Sequence, residues 1–175
     1  MDYRTLYIFI EGDDDQRFFQ EIFSPELKGK YNNLKYIKYA QKSADYIKRY
    51  IRSILSMNGD YIFLTDINDS PCITEKKQKI QSGVKNIDSD KILVVVKEIE
   101  SWYLAGLAEE VRRKFGIRRT PKATEKITKE RFNKLIPENS SRIDFMREIL
   151  NNFNIQNAKM KNTSFKYCFD KVTNL

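Results

Sequence analysis

No histidine occurs anywhere in the 175 residues of this chain. That absence excludes Ser-His-Asp and Cys-His nucleophiles, histidine-ligated zinc and histidine general bases together. Any catalysis must run on carboxylates with a metal, on lysine, or on an unassisted hydroxyl or thiol. Cysteine is nearly as scarce: Cys72 and Cys168 lie far apart with no CxxC spacing, and they read as free thiols of a reducing compartment. Long apolar runs are missing too. The longest, such as ILVVV, are of strand length, so no membrane span is expected. The opening MDYRTLYIFIEG is too short in its apolar run and too acidic in its flanks for a signal peptide, and a cytoplasmic location is the expectation. No repeat or low-complexity segment stands out, and neither GxxxxGKS nor GxxxxGKT offers a P-loop for ATP.

What is present supports a buried core: 41% of residues are hydrophobic, 13% aromatic and 32% charged. The length fits one domain of ordinary size, with room for a helical appendage. Lysine and arginine number 32 against 24 aspartates and glutamates, a formal charge of +8, which allows an anionic partner without naming one. The excess is unevenly placed. Residues 1–98 carry 16 basic and 15 acidic side chains, residues 99–175 carry 16 and 9. The densest stretch, Arg112 to Lys134, holds ten basic residues against Glu125 and Glu130.

Four short apolar runs alternate with helical patterns. The spacing predicts strands over Leu6–Ile10, Leu34–Tyr39, Tyr61–Thr65 and Ile92–Val96, the second near an edge because two lysines interrupt it. It predicts helices from about Asp15 as N-cap, from Ser43, over Thr74–Val84, and as one long segment over Ile99–Phe115. The best strands are apolar throughout rather than alternating, the pattern of a parallel sheet covered by helices on both faces. After Gly116 only helices are expected, near Thr128–Leu135, Ser141–Phe153 and Ser164–Val172. The expected organisation is an α/β domain over residues 1–115, with a basic helical extension over 116–175 packed on the same domain.

Three of the four strands end in acids: Glu11 after the first, Asp66 with Asn68 and Asp69 after the third, Glu98 and Glu100 after the fourth. In open α/β sheets the functional crevice lies at the carboxyl ends of the strands. Carboxylates gathered at one rim repel unless a cation lies between them. Their hard oxygens suit Mg²⁺ or Mn²⁺, and such an ion activates water with no histidine involved. Helix capping is the competing reading for each acid. It is preferred for Asp15 and Asp69, whereas Glu11 and Asp66 sit immediately at the ends of buried strands and are read as metal ligands.

The string Tyr7-Ile8-Phe9-Ile10-Glu11-Gly12-Asp13-Asp14-Asp15-Gln16-Arg17-Phe18-Phe19 resembles the first motif of Toprim domains, nearest the branch of OLD-type (overcoming lysogenisation defect) nucleases and small stand-alone Toprim-like proteins. Phe63-Leu64-Thr65-Asp66-Ile67-Asn68-Asp69 resembles the second motif, Asp-x-Asp, with Asn68 in place of the second acid. Lys97-Glu98-Ile99-Glu100-Ser101-Trp102-Tyr103-Leu104 resembles a Glu-x-Glu-x-Trp segment of small Toprim-like families. The resemblance spans residues 3–107. It implies a mostly parallel four-stranded Toprim-like sheet and Mg²⁺- or Mn²⁺-dependent phosphodiester cleavage of DNA or RNA. Glu11 and Asp66 are then the catalytic residues, with Glu11 in proton transfer, and the metal set draws on Glu11, Asp66, Asn68, Asp69, Glu98 and Glu100. OLD-type nucleases carry an ATPase domain, so the resemblance also allows a separate ATPase partner.

Arg112, Arg113, Lys114, Arg118, Arg119 and Lys122 are candidates for following a phosphate backbone, against the alternative of a solvated helix face. Lys161 and Lys166, flanking Ser164 with Lys159, are candidates for stabilising transition-state charge, against the preferred alternative of capping or solvating the last helix. Two further readings stand beside the nuclease. One is a non-catalytic Toprim-like binding subunit whose metal site is eroded at Asn68. The other is a phosphoacceptor receiver domain, disfavoured by the Glu-Gly before the acidic run and by the basic C-terminal half.

Overall fold

A computed structural model describes residues 3–175 of the chain. It divides into two compact units, one up to Val95 and one from Val96 to Asn174. In the first, β1 (Thr5–Ile10), β2 (Asn33–Lys38), β3 (Asp60–Asp66) and β4 (Ile92–Val95) form one sheet in the order β2-β1-β3-β4. All three pairings are parallel, with Phe9 opposite Ile37 on one side and Phe63 on the other, and Thr65 opposite Val94. The pattern explains the order. β4 and all but the ends of β1 and β3 are buried, as a strand covered on both faces requires. β2, with exposed Lys35 and Lys38, takes the edge, where a polar strand costs least.

One face of the sheet packs on α3 (Ala44–Ser56), whose Ile47, Ile51 and Ile54 join Tyr7, Phe9, Tyr61, Phe63 and Val94 in one core. Each fully buried aliphatic side chain contributes about 1.5–3 kcal/mol. α3 starts where the sequence indicates, with the Ser43 hydroxyl accepting the Tyr46 N–H at 3.2 Å. α4 (Ile73–Gly83) follows β3 and packs beside β4. The chain entering from β1 forms α1 (Asp13–Phe18) and then a wide π turn, Phe19–Phe23, which brings the rings of Phe19 and Phe23 into a stack at 4.7 Å. Phe19 also meets Tyr36 edge-on. α2 (Ser24–Leu27) completes this segment.

The second unit is helical: α5 (Glu100–Ala105), α6 (Glu109–Lys114), α7 (Lys129–Asn133), α8 (Arg142–Asn151), α9 (Ile155–Lys161) and α10 (Thr163–Thr173). α5 packs against α7, α8 and α9. Trp102 and Ser101 on α5, Thr124, and Asn162 and Ser164 at the start of α10 form a buried polar network in which donors and acceptors interlock. Trp102 Nε1 donates to Ser164 Oγ at 2.9 Å, Ser164 Oγ donates to Asn162 Oδ1 at 2.8 Å, and Asn162 Nδ2 donates to Thr124 Oγ1 at 3.0 Å.

Three local expectations are corrected. Asp15 is not the N-cap but the third residue of α1's first turn: its carboxylate accepts the Gly12 N–H at 2.8 Å, closing the turn from inside. The single helix expected over Ile99–Phe115 breaks after Ala105, because the Gly106 carbonyl accepts the Asn154 N–H at 2.9 Å instead of continuing a helical ladder. The break needs glycine, since a Cβ on Gly106 would lie 2.1 Å from the Phe153 ring. α9 was not expected, because its one buried residue, Ala158, leaves no apolar stripe to read.

Candidate functional site

The strand order fixes where a site belongs. β1 leads to β2 on one side, and β3 continues away on the other, so the chain reverses its direction of travel across the sheet between β1 and β3. Crevices in open parallel sheets form at the carboxyl ends of such a pair. Glu11 directly follows β1, and Asp66 is the last residue of β3.

Three donors converge on one oxygen of Glu11. Oε1 accepts the Thr65 hydroxyl at 3.0 Å, the Asp66 N–H at 3.2 Å and the Tyr39 hydroxyl at 3.1 Å. The Tyr39 hydroxyl also points to the Leu64 carbonyl at 3.0 Å, so its single proton is shared. Burial first, and then the Glu11 charge beside it, pushes the Tyr39 phenol well above its usual range, which keeps it a donor at neutral pH. Tyr39 is fixed in turn by stacking on Phe63, with ring centroids 4.3 Å apart. The hydrogen bond from its hydroxyl places Thr65 on the Glu11 face of the sheet. Asp66 is half-exposed as a residue, with Oδ1 buried. Asn68 and Asp69 follow in an exposed turn, and Asn68 takes a left-handed backbone (φ 50°), which asparagine tolerates better than most residues.

A cavity of about 410 Å³ opens beside Glu11. Tyr39, Phe63, Thr65 and Asn68 line it together with Lys42, Lys76 and Lys79. These lysines and Tyr39 were not singled out by the sequence. The legible signal was positional: Tyr39 directly follows β2, and Thr65 precedes Asp66.

The other candidate residues lie in the second unit. The Glu98 carboxylate accepts the Lys129 N–H at the start of α7. Glu100 is buried and ion-paired with Arg142 at 2.6 Å. Arg112 grips Glu109 through two nitrogens and also donates to the carbonyls of Ile117 and Arg118, both at 2.8 Å. Those guanidinium hydrogen bonds hold the Glu109 carboxyl down at about 2. Arg113 shares Glu109 at 3.2 Å, and Lys114 pairs with Glu148 at 2.9 Å. Arg118, Arg119 and Lys122 are exposed. Lys166 is exposed and Lys161 half-buried, while Lys159 pairs with Asp170 at 2.7 Å. Ser164 belongs to the Trp102 network.

The donor set fits a hard divalent cation in kind: Glu11 and Asp66 offer carboxylate oxygens, and Asn68 and Asp69 follow within three residues. Among the described residues no three acidic or cysteine side chains cluster as a ready cage. Mg²⁺ does not require one, since it is commonly held by one or two carboxylates with water in the remaining positions. Among the described residues no helix is long and apolar enough to cross a membrane.

No protein-family model matches the chain, and no curated protein matches it. Solved structures do. The C-terminal region of the Burkholderia pseudomallei OLD protein superposes with a TM-score of 0.54 at 15% identity, covering 99% of this chain and 98% of that one. The C-terminal region of the Xanthomonas campestris pv. campestris OLD protein gives 0.50 at 14% identity, covering 98% and 95%. At such identity the likeness is one of fold: this chain has the Toprim-like α/β fold of the C-terminal region of OLD proteins.

Proposed function

We propose that the protein cleaves phosphodiester bonds in nucleic acid with a divalent cation, Mg²⁺ or Mn²⁺, at the carboxyl ends of β1 and β3. The observation that carries this reading is the placement of Glu11 and Asp66 at the carboxyl ends of the two central, adjacent strands, with Glu11 Oε1 held by Thr65, Tyr39 and the Asp66 N–H. Asp66 and Glu11 hold the ion, with Asn68 and Asp69 as further oxygen donors. Such an ion, when bound, supplies Lewis acidity toward a phosphoryl oxygen and lowers the pKa of water. Glu11 has its Oε1 anchored by three donors, which leaves Oε2 to take the proton from the attacking water. Arg118, Arg119 and Lys122, exposed in the second unit, follow the phosphate backbone. Arg112 contributes less, because Glu109 and two carbonyls already occupy its guanidinium.

Wild type, Glu11→Gln and Asp66→Asn, incubated with single-stranded DNA, supercoiled DNA and RNA with and without Mn²⁺, test this reading. Cleavage by wild type in Mn²⁺ alone, lost in both variants, is expected. Equal cleavage by all three proteins would mark a contaminant and withdraw the assignment.

A second reading is a non-catalytic binding subunit that works with a separate ATPase. Asn68, where the Toprim pattern has an acid, and the want of a three-acid cluster among the described residues favour it. Binding of nucleic acid without cleavage under any metal condition would select it.

A further inference from the structure

The side of α4 that lines the Glu11 cavity has an unusual composition. A helix covering a sheet normally turns an aliphatic stripe inward. Lys76, Lys79, Ile80 and Gly83, spaced i, i+3, i+4 and i+7, form the stripe that borders this cavity, and no residue of α4 is fully buried. Gly83 and the flexible lysine stems leave the space open where larger apolar side chains would fill it. Lys42, just before α3, reaches the same cavity from the other side. Three lysines thus face one carboxylate, Glu11, around about 410 Å³. The lysines keep their charge available. Lys42 lies over the Tyr46 ring at 5.3 Å, and Lys79 shares Glu75 at 2.8 Å in an exposed pair of small energetic weight. Lys76 is half-buried on the cavity side of the helix. The remaining polar lining consists of Tyr39, Thr65 and Asn68, and the floor is apolar, formed by Phe63, Ile80 and Val84.

We infer that this cavity is a phosphate subsite: Lys42, Lys76 and Lys79 hold a phosphate group of a nucleic-acid strand on the Glu11 face of the sheet, beside the carboxyl ends of β1 and β3. The inference rests on the proposed action on nucleic acid and specifies how the strand is held. Ammonium groups bind phosphate oxygens as point charges, and three from two segments surround the anion where one alone would be solvated. The strand therefore runs past α4 and the β2–α3 connection. The basic residues near α6 are not its primary anchor. The shared chemistry is a phosphate oxyanion, supplied either by an internal phosphodiester or by a strand's terminal phosphate.

The test is fluorescence anisotropy of the full chain with a labelled 20-nucleotide single strand, as DNA and as RNA, in EDTA over a series of KCl concentrations. Without metal, binding is read separately from cleavage. The triple variant K42Q/K76Q/K79Q is compared with K28Q/K30Q/K35Q, which removes the same charge before and in the first half of β2, at the amino end of the sheet. For three lost phosphate contacts to a single strand, the slope of log K on log salt falls by about 2, and affinity at 0.1 M salt falls by about a hundredfold. The control triple is expected to change the slope by less than half as much. Melting curves for both triples show whether the fold is intact. Equal losses in the two triples, an unchanged pocket triple, or a wild type that binds neither strand would each overturn the subsite. A 5′-phosphate that tightens wild type but not the pocket triple assigns the subsite to a strand end, and no effect assigns it to internal phosphates. Lysine-dependent binding by a protein that cuts nothing leaves the subsite standing and removes the catalytic reading alone.

Discussion

Oε1 of Glu11 accepts the backbone N–H of Asp66 at 3.2 Å, across the pair of strands that occupies the centre of the sheet. Two acids separated by 54 intervening residues are thus joined through a main-chain contact, not by side-chain reach alone. The link makes the position of Glu11 a property of the β1–β3 register. Whatever holds that register holds the carboxylate, and the Thr65 and Tyr39 hydroxyls then fix its rotation.

Thr65→Val removes a hydroxyl and conserves shape. One of three donors to Glu11 is lost, from a buried position. Urea unfolding at pH 7 is expected to show a loss of about 1.5–3 kcal/mol, the range for a hydrogen bond to a charged group. Turnover should fall as well, because the Glu11 carboxylate regains rotational freedom. Wild-type stability and turnover in the variant would show that Thr65 does not position Glu11.

Asp60, at the amino end of β3, accepts the Tyr31 hydroxyl and Lys91 Nζ, both at 2.6 Å, and the Tyr61 N–H at 2.9 Å. Burial opposes its ionisation, but the hydrogen bonds from Lys91 and Tyr31 outweigh it and hold the carboxyl below its ordinary 3.8. The folded state therefore releases this proton more readily than the unfolded chain. The resulting stability is present above about pH 4 and is lost as pH falls through the folded value. Asp60→Asn is expected to lower stability at pH 7 and to flatten its decline below pH 4, as read from urea midpoints over pH 2–7. An unchanged acid slope would show that Asp60 does not carry it.

Ser164→Ala tests the second unit. The hydroxyl accepts the buried Trp102 Nε1–H and the part-buried Val96 N–H, and donates to the buried Asn162 Oδ1. Its loss is expected to cost about 1–3 kcal/mol, because buried donors lose their acceptor and no equal partner replaces it. Thermal melts report the change. Near-wild-type stability would mean that water replaces the hydroxyl.

What the sequence made legible follows from which interactions are local. Continuous apolar runs in β1, β3 and β4 identify buried parallel strands because both faces of each are covered, and the lysines of β2 identify its edge. Glu11 and Asp66 were legible because they directly follow such runs. The Gly106 break was not, since its cause, the Phe153 ring and the Asn154 N–H, lies some fifty residues away in sequence. The lysine-lined cavity was hidden for a similar reason. Lys76 and Lys79 read as the solvated face of a polar helix until the fold turns that face toward Glu11.

The account turns on whether Glu11 and Asp66 share one ion. Crystals of wild type soaked in Mn²⁺, with anomalous diffraction collected near the manganese edge, measure this directly. One anomalous peak bonded to the carboxylates of both residues at the carboxyl ends of β1 and β3 is expected, and it should disappear in Asp66→Asn. A peak held elsewhere, such as by Glu98 or Glu100 without Glu11, or no peak in crystals of a protein that cleaves in Mn²⁺, would contradict it.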